Sequence, residues 1–111
     1  MLKGVKRLSE SIGKLTLLEK LNIENNKLTY LPGNIGKLSS LKILKANFNK
    51  LTQLPKSITK LTLLNSLHLE YNEFTKYPEE VIKMPSLEFL YIRRNKIIKF
   101  PKKYGNMILD Y

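Results

Sequence analysis

Cysteine is absent from the 111 residues, so neither a disulfide framework nor a thiolate metal cluster is available. Packing and hydrogen bonds alone must hold the fold, and the redox compartment is left open. Acid is scarce: nine Asp and Glu stand against twenty Lys and Arg, a net charge of +11 that favours encounter with anionic partners. Long apolar runs are also missing. No stretch approaches the ~18 apolar residues of a spanning helix, and the basic opening MLKGVKRLSESIGKL never reaches the apolar core of a secretory signal. The chain reads as soluble and unanchored, with localisation open and export after removal of a leader still compatible. There is no phosphate-cradling glycine loop, no nucleophile elbow and no cysteine nucleophile, so a non-enzyme without a cofactor is expected.

What is present is periodic. The segments LEKLNIENNKL (18 to 28), LKILKANFNKL (41 to 51), LNSLHLEYNEF (64 to 74) and LEFLYIRRNKI (87 to 97) each start 23 residues after the last. Asn26, Asn49, Asn72 and Asn95 keep that period, as do Pro32, Pro55, Pro78 and Pro101. Counting each coil from its first leucine, positions 1, 4, 6, 11, 14, 18 and 21 are apolar or aromatic in all four copies. One domain over 1–111 is expected, with a partial coil at 1–17 and coils at 18–40, 41–63, 64–86 and 87–109.

This spacing resembles the leucine-rich-repeat family. Its segment L-x-x-L-x-L-x-x-N-x-L is matched at 18 to 28 and, with Ala46, Phe74 or Ile97 replacing leucines, in the other coils. The stretches LPGNIGKLSSL (31 to 41) and LPKSITKLTLL (54 to 64) are similar to the 23-residue subclass of bacterial and Ras-associated repeat proteins. The resemblance implies a right-handed α/β solenoid, with a short parallel β-sheet on the concave face and 3-10 or extended outer arms, acting as a ligand-binding scaffold.

The chemistry of one coil supports that reading. Positions 3 to 6 alternate outward and inward, so residues such as Leu21 and Ile23 enter the core. Asparagine at position 9 turns the chain inward, where its amide satisfies backbone groups left by the bend; Asn26, Asn49, Asn72 and Asn95 are expected as a buried structural ladder. Proline at position 15 has a fixed φ and no donor, which suits an outer arm. Gly13 and Gly36 recur at one arm position and read as turn residues. Val5, Leu8, Ile12 and Leu15 fit the outer half of a preceding coil. Tyr104 and Met107 fit the last arm, and a further strand would begin near Asp110 and Tyr111. With no polar cap evident at either end, the expectation is either self-association through an end or membership of a longer array.

Projection places outward columns at positions 3, 5, 7, 8 and 10, including Asn47 at position 7. Phe48 and Tyr71 share one column, and Tyr91 sits beside His68 in another. Aromatic and arginine side chains are favoured in binding hot spots. The expected ligand site is therefore Phe48, Tyr71, His68, Phe89, Tyr91, Arg93, Arg94 and Lys45, with another protein as partner.

Two other readings compete. Seven lysines lie between Glu24 and Glu70 without an intervening acid, and Arg93, Arg94, Lys96, Lys99, Lys102 and Lys103 crowd into eleven residues. A basic-surface binder of anionic polymers, such as acidic polysaccharide or nucleic acid, is the alternative. These cations fall on different sides of the coil, Lys45 inside the arc and Lys37 and Lys60 on the outer arm, so nucleic acid is not the expected partner. The only metal or proton-transfer pair to be drawn is His68 with Glu70, and it lacks a third strong ligand. No metal site is expected.

Overall fold

The computed structural model describes residues 4–101 and 108–110. Tyr104, Met107, Tyr111, Lys102 and Lys103, assigned above to the last arm, the following strand and the basic cluster, lie outside the described residues. Four short strands recur: β1 (Lys20–Asn22), β2 (Ile43–Lys45), β3 (Ser66–His68) and β4 (Phe89–Tyr91). A fifth, β5, spans Ile108–Asp110. All pair in parallel in the order β1-β2-β3-β4-β5. The first three pairings join residues 23 apart, Lys20 with Ile43, Ile43 with Ser66 and Ser66 with Phe89. The last joins Phe89 to Ile108, only 19 apart. The further strand thus begins four residues earlier than a constant period predicts.

In β2, β3 and β4 only the middle side chain points inward. Leu44, Leu67 and Leu90 are fully buried, whereas the residues flanking them are half-buried on the outer side of the sheet. Behind the sheet runs one core built from the recurrent positions, for example Ile23, Ala46, Leu69 and Ile92 at position 6 and Leu31, Leu54 and Tyr77 at position 14. Val5, Leu8 and Ile12 pack against its first-coil end, while Leu15 is half exposed.

The outer arms are 3-10 helices at Glu10–Lys14, Gly33–Lys37, Lys56–Lys60 and Glu79–Lys83. Pro32, Pro55 and Pro78 stand immediately before the last three with extended backbone, where a missing N–H costs nothing. In the first arm Ser9 takes that place, its hydroxyl accepting from the Ser11 N–H. Each of these helices ends on a lysine, a favourable place for a cation beside terminal carbonyls.

Gly13 and Gly36 do not act as turn residues. They lie within the arms, and a Cβ on Gly36 would stand 2.6 Å from the Ser57 carbonyl oxygen. On Gly13 it would stand 2.9 Å from that of Asn34. Glycine there lets neighbouring arms touch.

The asparagines form one row and tie coil to coil. Asn49 Nδ2 donates to the Ile23 and Ala46 carbonyls, and its Oδ1 accepts from the Leu28 N–H. Asn72 repeats this with Ala46, Leu69 and Leu51, and Asn95 with Leu69, Ile92 and Phe74. At the first coil Asn26 accepts from the Val5 N–H. Asn26, Asn49 and Asn72 are buried, Asn95 partly so. A buried donor or acceptor left unpaired costs about 1–3 kcal/mol, so an apolar residue is a poor substitute at this position.

Candidate partner-binding face

The outer side of the sheet carries the residues named from projection. Lys45, His68 and Tyr91 are consecutive partners across β2, β3 and β4. The imidazole of His68 stacks on Tyr91, with ring centroids 4.3 Å apart and planes 15° from parallel. Phe89, two residues before Tyr91 on the same strand, lies 6.5 Å from it. All four side chains, Lys45, His68, Phe89 and Tyr91, are half-buried.

Phe48 and Tyr71 form a second stack, with centroids 4.4 Å apart and an interplanar angle of 9°. They stand beyond the strand ends, not on the strands. Position 8 of each coil turns the backbone left-handed, with φ of 59° at Asn25, 58° at Phe48, 55° at Tyr71 and 59° at Arg94. The turn holds the rings up from the sheet, leaving them 47% and 46% exposed. Asparagine tolerates this conformation, so Asn25 was the one sequence signal of it. The bulkier residues at the other three positions conceal it.

Position 7 departs from projection. Asn47 is buried, not outward: its Nδ2 donates to Glu24 Oε2 at 2.7 Å, and its Oδ1 accepts from the Glu70 N–H at 2.7 Å. It is a second bridging amide, missed because only one coil carries asparagine there. Arg93 is exposed, but its Nε meets Asp110 Oδ1 at 2.6 Å across the β4–β5 pair, so its charge is partly spent internally. Arg94 is exposed beside it.

Burial lowers the pKa of His68 below its ordinary 6.5; Lys45 lowers it further, Glu24 opposes, and Lys20 lowers it again. Its ring is used in the stack with Tyr91. Among the described residues no three His, Asp or Glu side chains gather as a metal set. A cleft of about 620 Å³ opens elsewhere, between the stretches after β3 and β4, where Tyr77, Ile82, Ile98 and Phe100 line it. None of the eight face residues borders it. Among the described residues no helix is long and apolar enough to cross a membrane.

The fold is shared with known proteins. A leucine-rich-repeat protein of Leptospira interrogans matches with a TM-score of 0.86 and 31% identity over 96% of this chain. The chain spans 28% of that protein's length. The leucine-rich-repeat ectodomain of the plant membrane receptor kinase GASSHO1/SCHENGEN3 from Arabidopsis thaliana matches at 36% identity and a TM-score of 0.71. That match covers 81% of this chain and 11% of the ectodomain, solved in complex with Casparian strip integrity factor 2. The PEPR1–AtPEP1 structure, 21% identical with a TM-score of 0.62 over 83% of this chain and 17% of its own, shares the fold. No curated protein sequence matches the chain. Family models described as leucine-rich repeat match residues 39–97 and 17–38. With the 23-residue strand register and the asparagine row, these matches establish that the chain belongs to the leucine-rich-repeat family.

Proposed function

We propose that the chain is a protein-interaction module of one domain, and that its partner seats on the concave face over Phe48, Tyr71, His68, Phe89 and Tyr91, flanked by Lys45, Arg93 and Arg94. The observation that carries this reading is the pair of aromatic stacks, each bridging two coils and held partly open to solvent. Stacked rings lose little side-chain freedom on association, so contact with them is not offset by a large ordering cost. An aromatic cluster with arginine at its margin has the composition of binding hot spots. The Arabidopsis ectodomain, solved with a protein factor, lends the reading support by analogy. The role is recognition rather than catalysis.

The test is capture of a partner by the native chain and by a Tyr71→Ala, Tyr91→Ala, Arg94→Ala triple variant, with thermal melts to confirm that both fold. The variant is expected to lose at least about tenfold in recovery of any partner specific to the native protein. Equal recovery by both proteins would move the site off this face.

A further inference from the structure

The strip formed by positions 3 and 5 has an unbalanced charge. Lys45 on β2 is the direct register partner of His68 on β3, at a strand spacing of roughly 4.8 Å. Lys20 lies on β1, paired with Ile43. The ion pairs among the described residues are Lys42 with Glu19 and Arg93 with Asp110, so Lys20 and Lys45 have no carboxylate partner there. Glu24, the acid that acts on His68, already receives a hydrogen bond from Asn47 at 2.7 Å. Alongside the cations lies an apolar surface of Phe89, Tyr91 and Ile43, extended by Ile108, which is 60% exposed.

Two lysines without an ion-pair partner among the described residues stand near a half-buried imidazole on which Lys45 acts more strongly than the opposing Glu24, and they leave a positive potential that an incoming anion would neutralise. The apolar neighbours require that anion to be attached to something that also buries hydrocarbon. We propose that the partner segment on this strip is an acidic peptide: an extended stretch whose side-chain carboxylate sits between Lys20, Lys45 and His68 while a neighbouring apolar side chain covers Phe89 and Tyr91. This rests on the concave-face reading above.

A pH dependence follows. The charged and titratable groups around His68 are Lys20 and Lys45 on β1 and β2, Glu24 after β1, Tyr91 on β4, and Glu70 two residues along its own chain. In the free protein burial and the lysines disfavour the imidazolium; a bound carboxylate favours it. Binding therefore takes up a proton, and affinity rises as pH falls from above the bound-state pKa toward the lower free-state value.

A net positive protein attracts any acidic peptide, so the test is charge-matched. The probe is a fluorescent, end-capped peptide of glutamates around one tyrosine, compared with its glutamine counterpart by polarisation on the whole chain. Lys20→Ala with Lys45→Ala is expected to weaken the glutamate probe about tenfold, against less than about twofold for Lys37→Ala with Lys60→Ala on the outer arm. Native affinity is expected to rise about fivefold between about pH 7.5 and about pH 5.5, a rise that His68→Gln flattens. Equal losses from the two lysine pairs, or equal binding of the two probes, would overturn the proposal. Equal losses together with loss of the partner by the triple variant would keep the face and remove the acidic ligand. A selective inner-pair loss with partner recovery unchanged would keep the carboxylate site and remove the face.

Discussion

The four position-8 residues share one backbone conformation but not one side-chain type. A Cβ at positive φ crowds the following carbonyl at roughly 1–2 kcal/mol per residue; the short polar side chain of Asn25 can offset this by local hydrogen bonding, whereas Phe48, Tyr71 and Arg94 have no such compensation. Arg94 isolates that cost best, being exposed and outside both stacks. Arg94→Asn is expected to raise stability by about 1 kcal/mol while weakening partner capture, and Arg94→Val to lower it by about 1–2 kcal/mol through β-branching. Urea unfolding midpoints measure both; identical midpoints for the three proteins would mean that the turn carries no strain.

Within one arm, two glycines predict different outcomes. A Cβ on Gly33 meets nothing within 4 Å, whereas on Gly36 it meets the Ser57 carbonyl at 2.6 Å and the Ser57 Cβ at 2.8 Å. Gly36→Ala is expected to lower stability by about 1–3 kcal/mol as adjacent arms are forced apart, and Gly33→Ala to change it by less than about 0.5 kcal/mol. Thermal melts showing equal shifts would refute the close-contact account. The pair also shows where legibility ends. Strand positions, the core columns and the asparagine row were readable because each is repeated every 23 residues and each copy contacts the next. The columns of Phe48 with Tyr71 and of His68 with Tyr91 followed from the same period. Gly36 and Asn47 were not readable, since each depends on the distance to an atom that no pattern of residue types encodes, and the left-handed turn had only Asn25 to mark it, obscured by the bulkier residues in the other coils. The 19-residue step from β4 to β5 likewise breaks the rule that made everything else legible.

At the scale of the whole molecule, the described structure is a stack 37 × 27 × 20 Å in which long-range order is passed only between neighbours. The asparagine row makes this coupling directional: each side-chain oxygen holds the backbone N–H of the coil before it, Asn72 that of Leu51 and Asn26 that of Val5. The Leu51 amide lies between coils that are themselves gripped on both sides; the Val5 amide does not. In deuterated solvent the molecule should therefore loosen from its first coil inward, with Val5 exchanging its proton well before Leu51, and a uniform rate along the row would show that the stack opens as a single body. The stacked rings lie on the second to fourth coils, so on the proposed reading the partner's seat is expected to stay assembled while Val5 exchanges.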